Sequence, residues 1–258
     1  MGRIVSFSNQ KGGVGKTTTC VNMSAYLASF GKKVLLIDLD PQGNASSGLG
    51  VQKEAVRKSS YDLLCEENIK PDDICLPTDV PNLFVIPSNI DLAGAEVELV
   101  TTPNREYVLS NSIKAIAGEY DFITIDCPPS LGLLTLNALV ASDAVIIPIQ
   151  CEFYALEGLS QLINTIKLVT KHRNPHLEID GVVITMYDNR ATISKQIYQE
   201  ISKFFGKKLF SHVIPRNIRL SEAPSHGVPV LKYDPNCAGG KAYRRLTKEY
   251  LNIRERKK

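Results

Sequence analysis

The chain has 258 residues, of which 43% are hydrophobic and 22% charged, and this composition excludes collagenous, mucin-like and disordered chains. At roughly 100–200 residues per domain, the length fits one large α/β domain or two small ones. The net charge is only +3, but residues 241–258 carry eight Lys or Arg and two Glu, which is typical of a solvated basic helix or of a nucleic-acid or membrane contact.

Two further features bear on where the protein works. The longest apolar runs, such as residues 143–149, are far shorter than the ~20 residues of a membrane-spanning helix, and the N-terminus does not open like a leader peptide. The six cysteines form no C-x-x-C pair, which argues against a disulfide framework or a zinc knuckle. We therefore expect a cytoplasmic protein with reduced cysteines and no membrane partner.

Short runs rich in Val and Ile alternate with helical stretches along the chain. The runs are apolar throughout, as expected of parallel strands buried on both faces. The predicted strands cover residues 3–8, 33–38, 83–87, 121–126, 144–150 and 179–186. The predicted helices cover residues 16–30, 90–100, 105–118, 133–141, 155–173 and 192–205, with a last one near 242–253. No linker divides the chain, so we predict one doubly wound α/β domain over residues 1–258, with a mostly parallel sheet flanked by helices.

The first predicted strand runs directly into a glycine-rich loop that ends at Lys16 and Thr17, and a predicted helix follows. This context is that of a P-loop, in which backbone N–H groups cradle phosphates at a helix N-terminus. Lys16 would contact the β- and γ-phosphates of a nucleotide, and the Thr17 hydroxyl would bind Mg²⁺. The predicted nucleotide-binding residues of the loop are Gly12, Gly13, Val14, Gly15, Lys16, Thr17 and Thr18.

Two other predicted strands end in acids. Asp38 and Asp40 lie at the end of the second strand, and Asp126 ends the strand at 121–126. Ligands of doubly wound sheets bind at the carboxyl ends of the strands, so these carboxylates should lie beside the P-loop. Asp38 or Asp40 can orient an attacking water or organise the hydration of Mg²⁺, and Asp126 would hold Mg²⁺ in a Walker B arrangement. The alternative for Asp38 or Asp40 is to cap the following turn.

The loop departs from the common pattern G-x-x-x-x-G-K-[ST], because Gln10 occupies the first glycine position and Lys11 follows it. The string Lys-Gly-Gly-Val-Gly-Lys-Thr-Thr at residues 11–18 resembles the deviant Walker A loop of the ParA/MinD class of ATPases. With the stretches at 38–44, 125–132, 150–158 and 214–227, it makes the chain similar to the chromosomal ParA proteins over nearly its whole length.

This resemblance implies an ATPase that uses ATP and Mg²⁺ and forms an ATP-dependent homodimer. The dimer would bind double-stranded DNA without sequence preference, and a ParB-type partner would stimulate hydrolysis and release. Lys11 would reach the nucleotide of the opposite protomer and act with Lys16 and Asp40 in catalysis. Pro215 and Asn217 would contact the adenine.

The resemblance also implies a DNA-binding surface. Arg190 and Arg219 match arginines that contact DNA in the family, with a salt-bridged surface role as the alternative. The P-loop begins about eight residues from the N-terminus, so we expect no helix-turn-helix domain ahead of it and no sequence-specific operator binding. We expect a cytoplasmic protein that associates with the nucleoid.

Three other functions fit parts of the sequence. A MinD-like membrane ATPase would use Tyr243, Leu246, Tyr250 and Ile253 as the apolar face of an amphipathic helix, although such a stripe more often packs in a core. An iron–sulfur reductase component would need a pair of exposed cysteines that bridge a dimer around a cluster, whereas Cys127 and Cys151 end apolar strands and lack glycine-rich flanks. A scaffold that binds ATP only to hold a dimer together would have no need of Asp40.

Overall fold

One sheet runs through the part of the chain that the computed structural model describes, residues 2–66, 69–152 and 155–255. Its strands are β1 (Arg3–Phe7), β2 (Val34–Asp38), β3 (Leu76–Pro77), β4 (Leu83–Ile86), β5 (Phe122–Asp126), β6 (Ala144–Gln150) and β7 (Glu178–Thr185). They lie in the order β3-β4-β2-β5-β1-β6-β7. All pairs are parallel except β3 with β4. The predicted fold class is therefore confirmed, because the strand order is that of a doubly wound sheet.

Helices cover both faces of this sheet. They are α1 (Lys16–Ser29), α2 (Asn44–Ser47), α3 (Ser60–Cys65), α4 (Leu92–Glu98), α5 (Val108–Ile113), α6 (Leu133–Ala141), α7 (Ala155–His172), α8 (Thr192–Phe205), α9 (Ile218–Glu222), α10 (Val230–Tyr233) and α11 (Ala238–Glu255). In β2, Val34 and Leu36 pack in one apolar cluster with α1 and α11, and Leu35 and Ile37 pack in another with α3 to α6. Successive side chains of a strand point to opposite faces, so a fully apolar strand needs cover on both.

The six predicted strands are confirmed to within one residue at each end. Two of the predicted helices differ from the structure, because the spacing of apolar residues extended them too far. The predicted helix 90–100 is α4 followed by a 3-10 turn at Leu99–Thr101. The predicted helix 105–118 is wrong as one element: it is a 3-10 turn, then α5, then tight turns. Beyond α5, the Ile116 N–H donates to the Ile113 carbonyl, and the Gly2 N–H donates to the Ala117 carbonyl at 2.8 Å. These bonds tighten the chain and join it to the start of β1.

Several short elements were not predicted. Strand β3 has two residues, and α2, α3, α9 and α10 have four to six each, which is too short for a periodic apolar pattern. The last helix begins at Ala238 rather than near 242, although it then contains Gly239 and Gly240. A Cβ at Gly239 would lie 2.6 Å from Cγ of Leu220. The helix therefore needs glycine there so that α9 can approach closely, which overrides the low helix propensity of glycine.

The apolar stripe of α11 belongs to the core. Tyr243, Leu246 and Tyr250 are each at most 1% exposed, and Ile253 packs partly buried at the edge of the same cluster. The Tyr243 hydroxyl pairs with Thr19 Oγ1 of α1 at 3.0 Å. The interpretation of this stripe as core is confirmed, and it removes the apolar face that a MinD-like membrane helix would need. Within the described ranges, no helix combines the length and apolarity needed to cross a bilayer.

An ion cluster fastens α11 to the amino end of the sheet. Asp180 has a side chain only 1% exposed, and its Oδ1 lies 2.9 Å from Arg3 Nη2 and 2.7 Å from Arg254 Nη1. Its Oδ2 accepts a hydrogen bond from the Tyr250 hydroxyl at 2.9 Å. Burying a carboxylate is costly unless it is paired and hydrogen-bonded. Asp180 meets both conditions, and its partners join strands β1 and β7 to helix α11.

We predict that Leu246→Ala lowers the free energy of unfolding by about 2–5 kcal/mol, because it opens a cavity between α11 and α1. Urea denaturation of the purified protein measures this change. The matched control is Asn252→Ala on the exposed side of α11, which should stay within about 0.5 kcal/mol of the parent. Equal stability of both variants would mean that the stripe does not pack in the core.

Candidate active site

The glycine-rich loop turns the chain from β1 into α1 at the carboxyl end of the sheet. Gly13 and Gly15 have φ values of 74° and 82°, which residues with a Cβ rarely adopt. Gly15 is the N-cap of α1, and none of the described side chains caps this helix. The first N–H groups of α1 are therefore available to a ligand, and the helix N-terminus favours an anion.

Three side chains that the sequence analysis did not identify hold this loop in place. Thr185 Oγ1 donates a hydrogen bond to the Val14 carbonyl at 2.7 Å, and Gln150 Nε2 donates one to the Gly13 carbonyl at 3.4 Å. Asn9 Nδ2 donates to a carbonyl of β6 at 2.7 Å. These bonds turn two carbonyl groups of the loop toward β6 and β7. In the sequence, each is only a polar residue next to an apolar strand. Many strands end in this way, so the pattern does not identify residues that hold the loop.

The two lysines of the loop lie in different environments. Lys16 is 6% exposed, and its Nζ lies 3.4 Å from the Lys11 carbonyl oxygen. Burial lowers the pKa of Lys16, and the negative charge of Asp126 opposes this shift. Lys11 lies at the rim, where its Nζ pairs with Glu152 Oε2 at 2.6 Å and both side chains remain substantially exposed. One ammonium is thus inside the site and the other at its edge.

Asp126 lies at the base of the site with an unsatisfied carboxylate. It is the register partner of Phe7 in β1 and of Asp38 in β2, which places it directly below the P-loop. Both of its oxygens are buried and accept no hydrogen bond from the residues that the structure describes. Burial and the neighbouring charge of Asp38 raise the pKa of Asp126 well above its usual range.

The donor set fits Mg²⁺. A carboxylate with two unused oxygens and the Thr17 hydroxyl, at the start of α1, are ligand types that Mg²⁺ takes beside substrate phosphates. When bound, the ion neutralises negative charge on the phosphates. Asp126 and Thr17 would hold it, with Asp38 as the third predicted ligand.

Asp38 is already engaged by the protein. Its Oδ2 accepts hydrogen bonds from the Ser46 N–H at 2.8 Å and the Ser46 hydroxyl at 2.7 Å, and its Oδ1 accepts one from the Asp40 N–H at 3.1 Å. Burial raises the pKa of Asp38 to about 6, although these hydrogen bonds oppose the shift. The structure therefore brings Asp38 beside Asp126 but uses its oxygens to fix α2 and the loop after β2.

Asp40 is held by a tight turn over residues 40–43. The Gly43 N–H donates to the Asp40 carbonyl at 2.8 Å, and Pro41 occupies the second position, where proline favours such turns. The Gln42 N–H donates to Asp40 Oδ1 at 3.0 Å, while Oδ2 makes no hydrogen bond within the described residues. Asp40 is 7% exposed. The capping alternative therefore holds for one oxygen, and the other is open to a ligand.

Pro215 and Asn217 also reach this edge of the sheet. The Tyr187 N–H donates to the Ile214 carbonyl at 2.9 Å, so the chain before Pro215 runs parallel to the end of β7. Asn217 Oδ1 accepts from the Arg219 N–H at 3.1 Å and caps α9. Both residues are partly exposed beside the loops of the site.

The two predicted DNA-contacting arginines lie on the surface, each in an exposed ion pair. Arg190 binds both oxygens of Asp188 at 3.0 Å, and this guanidinium lowers the pKa of that carboxyl to about 2. Arg219 lies 2.8 Å from Glu222 and 3.7 Å from Asp234. Such pairs contribute little in water, so either arginine can exchange its partner for another anion.

The cysteines considered as cluster ligands are buried. Cys127 is 0% and Cys151 is 6% exposed. Burial raises the pKa of both thiols, that of Cys151 to about 11. A cluster shared between subunits needs accessible thiolates. The structure therefore contradicts the iron–sulfur alternative.

Comparison with known proteins agrees with this geometry. A family model described as an AAA domain matches residues 2–179. The sporulation initiation inhibitor protein Soj of Bacillus subtilis is 57% identical over 249 residues, 96% of this chain and 98% of that protein. The chromosome-partitioning ATPase Soj of Treponema pallidum is 50% identical over 251 residues, 97% of this chain and 98% of that protein.

A solved structure extends the comparison to a nucleotide complex. The cobyrinic acid a,c-diamide synthase of Mycobacterium smegmatis with bound ADP and magnesium is 35% identical, with a TM-score of 0.87, and the match covers 100% of this chain and 97% of that one. Fold and site together define a P-loop ATPase that uses ATP and magnesium. The chain belongs to the ParA/Soj family of chromosome-partitioning ATPases.

We predict that Asp126→Asn weakens the binding of Mg²⁺ in the presence of ATP by about 10- to 100-fold, because it removes the unsatisfied carboxylate below the P-loop. Thermal unfolding with ATP, titrated with Mg²⁺, measures this as a loss of the stabilisation that the ion adds. Asp72→Asn, at an exposed position, is the charge-matched control. An unchanged Mg²⁺ titration would place the ion elsewhere.

Proposed function

We propose that ATP drives this protein into a homodimer that binds double-stranded DNA without sequence preference, and that a ParB-type partner stimulates hydrolysis and release. This cycle would support the segregation of a chromosome or plasmid by a cytoplasmic, nucleoid-associated protein. The observation that carries the proposal is the division between the two lysines of the loop. Lys16 is buried in its own site, whereas Lys11 lies at the rim on an exposed acid.

Each protomer would bind the phosphates of ATP with backbone N–H groups of residues 12–18 and with the Lys16 ammonium. Thr17 and Asp126 would hold Mg²⁺, and Asp38 would assist them while it fixes the following loop. The Asp40 carboxylate would accept a hydrogen bond from the attacking water and align it with the γ-phosphate. Pro215 and Asn217 would flank the adenine.

The dimer would form face to face at the carboxyl ends of the two sheets. There, Lys11 would leave Glu152 and approach the phosphates of the opposite nucleotide. The exchange is feasible because its present ion pair is exposed, and exposed pairs are weakly held. The phosphates of ATP would therefore join two protomers, because each offers the Lys11 of the other protomer a stronger anionic partner than Glu152.

DNA would bind to a surface that both protomers build. Arg190 follows the carboxyl end of β7, and Arg219 lies in the first turn of α9, two residues after Asn217, so both would lie near the edge that carries the nucleotide. Each arginine can exchange an exposed carboxylate for a DNA phosphate. A dimer doubles the number of phosphates that the protein neutralises, which makes affinity depend on ATP. Phosphate contacts carry no base information, so binding would not depend on sequence.

We predict that Asp40→Ala retains ATP binding but slows hydrolysis about 100-fold or more, so that the dimer persists in ATP. Removal of the carboxylate leaves the phosphate ligands in place and takes away the group that orients water. Equilibrium ATP titration and single-turnover phosphate release measure the two effects separately. Hydrolysis at the parental rate would assign the catalytic role to another residue, with Asp38 as the next candidate.

Lys11→Ala should bind ATP with nearly parental affinity yet remain monomeric, because its charge acts on the nucleotide of the other protomer. Light scattering with and without ATP reports the mass. Lys171→Ala removes the same charge from the last turn of α7, far from the P-loop edge, and should dimerise normally. ATP-dependent dimers of the Lys11 variant would contradict the role proposed for this lysine.

Arg190→Glu and Arg219→Glu should each weaken binding to all DNA sequences alike and leave ATP-dependent dimerisation intact. The slope of log K against log salt should become shallower by about one for each phosphate that the variant no longer neutralises. DNA retention at low and moderate salt measures both effects, and Lys171→Glu is the charge-matched control. If both arginine variants bind like the parent, the DNA face lies elsewhere, first of all on the basic residues 254–258.

A further inference from the structure

Lys53 contacts the turn at residues 40–43, which holds Asp40. It belongs neither to the P-loop nor to the strand ends that carry the acids. It lies in a 3-10 turn at Lys53–Ala55, downstream of α2. Its ammonium donates a hydrogen bond to the carbonyl oxygen of Gln42. Its stem packs against Gly43, where an added Cβ would lie 3.0 Å from Lys53 Cε and 3.0 Å from the Ser88 carbonyl oxygen. The turn is thus enclosed between Lys53 and the chain that follows β4.

The contact acts on the bonds that orient Asp40. The Gln42 carbonyl belongs to the same peptide group as the Gly43 N–H, and this N–H donates to the Asp40 carbonyl at 2.8 Å. Hydrogen bonds in series polarise one another, so an ammonium on the carbonyl strengthens the bond that closes the turn. The same turn presents the Gln42 N–H to Asp40 Oδ1.

The neighbouring cations do not share this position. Among the described residues, Arg57 and Lys58 form no hydrogen bond or ion pair, and both are exposed. Lys53 is partly buried and lies against the turn along its stem as well as with its ammonium. Lys53 therefore contacts the turn, whereas Lys58, five residues later, does not and can serve as a matched control.

We propose that Lys53 is a positioning residue for hydrolysis, which holds the turn at residues 40–43 so that the open oxygen of Asp40 faces the γ-phosphate. The inference rests on the catalytic role proposed for Asp40. Lys53 contacts the turn itself, through the Gln42 carbonyl and beside Gly43. Loss of its ammonium leaves the P-loop untouched but lets the turn, and with it the Asp40 carboxylate, sample other orientations.

The first test compares Lys53→Met with Lys58→Met. Methionine keeps a long stem over Gly43 and removes the charge. The Lys53 variant should lose about tenfold in kcat, while its dissociation constant for ATP stays within about twofold of the parent. Lys53→Arg, which restores a cationic donor, should recover most of kcat. Lys58→Met should match the parent in both measurements. A parental kcat in Lys53→Met would overturn the proposal.

A double-mutant cycle tests whether Lys53 acts through Asp40. Single-turnover hydrolysis is measured for Asp40→Asn with and without Lys53→Met. The second substitution should cause little further loss, because the carboxylate that Lys53 positions is already absent. A further tenfold loss would show an independent role and contradict the inference. If Asp40→Asn alone hydrolyses ATP at the parental rate, the role proposed for Asp40 fails, which is a distinct outcome.

Discussion

Two carboxylates meet in register at the ends of β2 and β5, and the rest of the site depends on how their charge is balanced. Asp38 and Asp126 are both 0% exposed. Asp38 accepts hydrogen bonds from Ser46 and from the Asp40 N–H, whereas Asp126 has no hydrogen-bond partner in the described part of the chain. A buried, unpaired carboxylate is costly. The protein therefore carries an unfavourable group below its P-loop, with Lys16 as the nearby buried cation. A magnesium–nucleotide complex bound by Asp126 would relieve that cost.

The parallel sheet explains why residues from distant parts of the chain meet at this point. Parallel strands end at the same edge, so the loops after β1, β2, β5 and β7 converge there. The loop after β1 would bind phosphate, acids lie at the ends of β2 and β5, and the chain that follows β7 brings Arg190 to the same edge. The arrangement separates the buried Lys16 from the partly exposed Lys11. In the proposed dimer, this separation would let one loop contact two nucleotides.

The sequence predicted the elements whose signals are local and repeated. Buried parallel strands are apolar throughout, and the P-loop combines a strand, glycines, a lysine and a helix in a fixed order, so both were recognisable. Elements that depend on tertiary contacts were not: the first turn of α11 contains Gly239, which lets α9 approach closely, and glycine there hid the start of the helix. The same limit applies to the site. Thr185, Gln150 and Lys53 act on backbone carbonyls, and no side-chain pattern in the sequence records which carbonyl a polar group will meet.

The most direct measurement is co-sedimentation of the purified protein with DNA and, in parallel, with liposomes, each with and without ATP. Binding of ATP should join two protomers and double the number of phosphates neutralised, while the buried stripe of α11 leaves that helix no apolar face for lipid. The protein should therefore sediment with DNA only when ATP is present and should not sediment with liposomes. ATP-dependent sedimentation with liposomes, or equal DNA binding without ATP, would contradict the proposed cycle.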